Sequence, residues 1–136
     1  MTDIADAADL LATAREAFVS ELLPALSKEH RYVGLMIANV MAIAAREFRL
    51  GHDAAQSEVA RLRGMMADIG GPLSPPNDLA SQDLAALRQS VSAAIRAGHF
   101  DDPAREKVVT AELLHVVADW VAISNPKALR AWYANP

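Results

Sequence analysis

The chain has 136 residues, 52% of them hydrophobic, a net charge of −4 and no cysteine. Its length suits one domain with one core, in which roughly two thirds of the chain's surface leaves water. The acidic balance argues against a nucleic-acid binder, which concentrates basic groups against phosphate, and the missing thiols exclude disulfides, thiolate nucleophiles and cysteine-held zinc or iron–sulfur sites.

The opening MTDIADAADL carries Asp3, Asp6 and Asp9 where a signal peptide needs a basic start, so export by that route is not expected and a reducing cytoplasm fits. Ile4, Ala7, Leu11, Ala14, Phe18 and Leu22 recur at three- and four-residue steps and predict an amphipathic helix 1. Pro24 ends or kinks it, because proline lacks the amide hydrogen and restricts the residue before it. Ser27 can cap a second helix that runs to about Leu50, with Gly51 as its stop. Between Val33 and Ala45 the only polar side chain in that helix is Asn39. A helix apolar on nearly every face is expected to be enclosed by the others. The nearly uncharged run from Tyr32 to Ala45 is shorter than the ~18–20 residues that cross a bilayer, so no membrane span is expected.

Asp53 and Gln56 resemble a capping box for helix 3, whose Val59, Leu62, Met66 and Ile69 make a narrow apolar stripe up to Gly70-Gly71-Pro72. Asn77 or Ser81 begins helix 4, with Leu84, Leu87, Val91 and Ile95 facing inward and Gly98 ending it. Asp102-Pro103 starts helix 5, which carries Val109, Leu113, Val116, Val117, Trp120 and Val121 and is expected to pack on helix 2. Asn125-Pro126 repeats that start for a short terminal helix, whose Leu129 and Trp132 can close one end of the fold. The pattern contains no strand. The expected architecture is all-α: a single domain over residues 1–136, a compact bundle of five main helices plus a short C-terminal helix, with helices 2 and 5 central.

Three stretches, HRYVGLMIANVMAIAAREFRLG, AIRAGHFDD and AISNPKAL, together resemble a family of small bacterial helical proteins, the domain of unknown function DUF6285. The similarity covers most of the chain and is weakest around Pro72 to Asn77. It implies company: members occur in operons with, or fused to, aminoglycoside-phosphotransferase-like kinases and acyl-CoA dehydrogenases. The resemblance implies an accessory role near acyl-CoA metabolism and transfers no catalytic residue.

Tyr32, Asn39 and Arg46 are spaced by seven, drifting only about 20° per step, and form one polar seam on the apolar rod. Such a seam could line a ligand pocket. In the structural reading, Asn39 bonds a neighbouring helix and Arg46 pairs with a carboxylate, as buried polar groups require. Glu112 and His115 have the Glu-x-x-His spacing of di-iron bundles, but the second copy that such a centre needs is missing, and His115 with Asp119 reads as a surface pair. His30, His52 and His99 fall near helix ends and are not promoted to catalysis. Arg61, Arg63, Arg88 and Arg96 could hold the phosphates of a coenzyme A portion if they converged. Met36, Met41, Met65 and Met66 fit core gaps better than an adaptable pocket.

The leading functional expectation is therefore a non-catalytic accessory or interaction domain, without cofactor or metal, acting beside a kinase-like protein or an acyl-CoA dehydrogenase. A homodimer is compatible with the composition. The alternative is a small-molecule binding protein or enzyme with a pocket between helices 2 and 5, lined by Tyr32, Asn39, Arg46, Glu112 and His115.

Overall fold

Asp6 opens the first helix because its carboxylate accepts the Asp9 amide hydrogen at 2.8 Å, satisfying a donor that has no partner within the helix. In the computed structural model, which describes residues 6–73 and 80–135, this helix is α1, Ala7–Ala17. Pro24 then acts as expected. Without its amide hydrogen the α pattern cannot continue, and the chain loosens into a π turn over Phe18–Leu22 and tightens into a 3-10 turn over Leu23–Ala25. The inward residue of α1 is Ala8, with Leu11 and Phe18 half-buried, while Ala7 and Leu22 are exposed, so the expected stripe is turned by about one position. Ile4 lies outside the described residues.

Ser27 stands at the start of α2, Lys28–Asp68, its carbonyl accepting the Arg31 amide hydrogen at 3.0 Å and its hydroxyl lying 2.8 Å from His30 Nδ1. Gly51 does not stop this helix. The two expected helices are one element of 41 residues, and Asp53 with Gln56 lies inside it instead of forming a cap. Glycine ends a helix by taking a positive φ, and among the described residues only Gly70 and Gly98 do so, at 65° and 78°. At both, the following amide closes the helix: Gly71 donates to the Met66 carbonyl at 2.9 Å and His99 to that of Ala94 at 3.1 Å. Between them lies α3, described from Ala80 to Arg96; Asn77 falls outside the described residues.

Both Asx-Pro starts hold. Asp102 Oδ1 accepts from the Ala104 and Arg105 amides at 3.0 and 3.2 Å to begin α4, Pro103–Ser124. Asn125 Oδ1 accepts from Ala128 at 3.2 Å to begin α5, Pro126–Ala134. The all-α class is borne out, with no strand among the described residues. No described helix is long and apolar enough to cross a membrane.

The chain divides into two compact units, one of Met1–His52 with Ile123–Pro136 and one of Asp53–Ala122. In the first, α1 runs antiparallel to the first half of α2. Asp9 pairs with Arg49 at 2.7 Å, Arg15 Nε donates to the Ala38 carbonyl at 2.9 Å, and a Cβ placed on Gly34 would stand 2.6 and 2.7 Å from the Leu26 and Leu23 methyls. That approach buries the small residues Gly34, Ala38 and Ala45. The large ones point elsewhere. Val33, Leu35, Met36, Ile37 and Val40 are all exposed, Val40 by 61%, so the expectation that this stretch is enclosed on nearly every side is corrected. One antiparallel neighbour shields only the face it touches. Trp132 of α5 is likewise exposed and closes nothing.

In the second unit, Leu62, Met65 and Met66 of α2, Leu84, Leu87, Val91 and Ala94 of α3, Phe100, and Val109 of α4 form the core. Val59, Ile69, Leu113 and Trp120 pack against it half-buried. The stripes of expected helices 3, 4 and 5 are recognisable here, except that Ile95 and Val117 face outward.

Because Gly51 is a helix-interior residue whose added Cβ would meet chiefly the movable Glu47 carboxylate, Gly51→Ala should raise stability by about 0.5–1 kcal/mol in urea unfolding. A loss of stability would place a left-handed stop there instead.

Candidate functional site

The most constrained polar group of the second unit is a carboxylate of α2. Glu58 lies one turn before Leu62 on the inward stripe of α2 and is only 3% exposed. Arg88 of α3 meets it with both prongs of its guanidinium, Nε to Oε1 at 2.6 Å and Nη2 to Oε2 at 2.7 Å, and Trp120 of α4 donates its indole N–H to Oε2 at 2.6 Å. The same guanidinium lies 5.9 Å from the Trp120 ring centre, within cation–π range. Burial pushes the Glu58 carboxyl up, but the bonds from Arg88 and Trp120 and the Arg88 charge together outweigh it and hold the group below its usual 4.5. The Glu58 bond in turn raises Arg88 against the opposing effect of burial. Three N–H groups engage this buried carboxylate, one at Oε1 and two at Oε2, so it acts as a clamp between three helices.

A cleft of about 760 Å³ opens in the same unit between the end of α2 and the start of α4. Its floor is Met65, Phe100 and Val109, all buried. Two ion pairs cross it: Arg61 with Glu112 at 2.6 Å and Arg105 with Asp68 at 3.2 Å. The partners are seven residues apart on each helix, so the bridges stand about 10 Å apart along the cleft. Arg61 Nε is buried without a hydrogen-bond partner.

Of the five residues expected to line a pocket, only Glu112 lies on this cleft. Tyr32 is 72% exposed, and Asn39 is exposed with no side-chain hydrogen bond among the described residues, so it does not tie a neighbouring helix. Arg46 is half-buried in the first unit and donates from Nε to the Ile123 carbonyl at 2.6 Å, a last-turn acceptor of α4, where a carboxylate partner was expected. His115 is exposed with Nδ1 2.8 Å from the Ala111 carbonyl, while Asp119 accepts from Ser57 at 3.1 Å, so those two do not pair. Glu112 is held by Arg61, which separates it in role from His115. Among the described residues no three His, Asp or Glu side chains come together in a way that could hold a metal.

Arg61 and Arg88 are each committed to a carboxylate and do not converge as a phosphate cradle. Met65 and Met66 are core residues and Met36 is exposed. The signal for Glu58 was in the chain: a carboxylate at a position that the spacing of Leu62, Met66 and Ile69 assigns to the buried face needs partners. Which cations or N–H groups supply them is not encoded locally.

A family model described as a domain of unknown function, DUF6285, matches residues 24–128. No curated protein and no solved structure matches the chain.

Glu58→Ala should cost about 2 kcal/mol in urea unfolding, since it removes the buried acceptor of the half-buried Trp120 N–H and of Arg88, whose half-exposed guanidinium can turn to water. A loss below about 0.5 kcal/mol would show that the clamp is dispensable. Because the folded pKa lies below the unfolded one, the stability due to Glu58 is present above pH 4.5 and is lost as pH falls through the depressed value. Glu58→Gln should therefore flatten the acid limb of a stability-against-pH curve.

Proposed function

The chain belongs to the DUF6285 family, and from that membership and the surface of its first unit we propose that it is a non-catalytic interaction domain that docks on a partner protein through the first half of α2. The observation that carries the reading is the exposed apolar run. Val33, Leu35, Met36, Ile37 and Val40 stand in water on a helix that is anchored from its other side by Gly34 and Ala38. Charged residues bracket the run, Lys28, Glu29 and Arg31 before it and Glu47 and Arg49 after it. Apolar surface rimmed by charge is the usual make-up of a protein docking face.

The partner in this reading is a phosphotransferase-like kinase or an acyl-CoA dehydrogenase, in keeping with the associations of the family, and the setting is cytoplasmic. A rigid helix presenting leucine, isoleucine and methionine side chains suits burial against an apolar groove, where a few fully desolvated anchors carry most of the affinity. The chain then contributes surface and no chemistry of its own.

Co-expression with each neighbouring gene product tests this. The kinase-like protein or the dehydrogenase should co-purify with the chain and be lost from Val40→Asp, which should change stability by no more than ~0.5 kcal/mol because the position is exposed. If neither protein co-purifies, or if Val40→Asp retains it undiminished, the reading falls.

A further inference from the structure

The cleft of the second unit carries a separate inference, independent of what docks on the first. Gly64 is a helix-interior glycine on its wall, exposed, with nothing within 4 Å of where a Cβ would stand. Such a glycine costs about 1 kcal/mol relative to alanine. At Gly34 the close approach of Leu23 and Leu26 explains the missing side chain, and at Gly70 and Gly98 the positive φ does. At Gly64 neither applies. What the missing side chain does is leave the cleft open beside Ala60, one turn earlier on the same wall.

The charged groups around the opening already have partners. Arg61 is held by Glu112 and Arg105 by Asp68, while Asp102 accepts from the first amides of α4. A charged group set over the apolar floor of Met65, Phe100 and Val109 would lose hydration, and opening the part-buried Arg61–Glu112 pair is costly, although the exposed Arg105–Asp68 pair contributes little. An uncharged one does neither. Phosphate-bearing molecules find no uncommitted guanidinium on this cleft. Arg61 Nε, though without an acceptor, is sealed from the solvent side and offers a molecule in the cleft no donor.

We propose that this cleft binds a compact, uncharged and mainly apolar small molecule. Its volume of about 760 Å³ falls in the range of small-molecule sites. The small wall residues admit the apolar body, and the two bridges bound it lengthwise.

The test uses the full chain with isotope-labelled methionine methyls and three probes sharing one tail, 1-octanol, octanoate and octylamine. Met65 reports from the cleft floor and Met36, exposed in the other unit, serves as the control. Octanol should shift Met65 saturably and leave Met36 in place, and both charged probes should bind about tenfold more weakly or worse. Gly64→Leu should lower the octanol affinity by at least about tenfold while Tm holds or rises, because it fills open space and replaces a helix glycine. Gly64→Ala gives a milder version of both effects and covers the case in which the larger side chain disturbs folding. A Met65 methyl that octanol does not move overturns the proposal. So does an octanoate or octylamine affinity equal to that of octanol, or a Gly64→Leu chain that binds octanol as the parent does.

Discussion

Glu58 places an ionised carboxylate on the apolar side of α2, and three N–H groups from two other helices converge on it. Removing a carboxylate from water is tolerable only when its acceptor directions are filled, so α3 and α4 are constrained to the registers that bring Arg88 and Trp120 to those oxygens. Hydrophobic burial is non-directional and would allow either helix to slide by a turn with little loss. The clamp makes that slide expensive. The core of Leu62, Met66, Leu87, Val91 and Val109 is packed around this fixed point, and the cleft beside it inherits its shape from the same register.

A different constraint shapes the first unit. Arg15 reaches the Ala38 carbonyl, Arg46 reaches that of Ile123, and Gly34 admits the leucine methyls of the turns after α1. These contacts use the smallest residues of α2 and two arginine side chains that cap or bridge backbone oxygens. The consequence is that the bulkiest apolar side chains of the stretch are left on the surface. Hydrophobicity measured around a helix states that cover is favourable, but close packing selects the face with the least side chain, because only there can another backbone approach.

Much of the fold was legible because it depends on local chemistry. Asp6, Asp102 and Asn125 cap helices through their own oxygens, Pro24 interrupts one through its missing hydrogen, and Gly70 and Gly98 end two through a positive φ. Gly51 shows where such a signal fails. A glycine is equally compatible with a stop and with a helix interior, and the choice falls to the residues beyond it, which here continue the inward stripe through Ala54, Glu58 and Leu62. The polar seam of Tyr32, Asn39 and Arg46 had the right periodicity for one face, yet periodicity does not say whether that face is covered, and only Arg46 finds a partner.

By itself the sequence determined the all-α class, the helix ends that side-chain or glycine chemistry specifies, and the apolar stripes of the second unit, since each is a matter of neighbours within a turn or two of one another. The tertiary structure alone decided that two expected helices are one rod, that Glu58 is met by Arg88 and Trp120 from 30 and 62 residues away, and that the large side chains of the first half of α2 face water. It also decided that the cleft lies along Gly64 and not along the seam. The run through Gly51 turns on the residues beyond it, but the other three depend on which surfaces meet after the helices have formed, and a residue's own neighbours in the chain carry no record of that meeting.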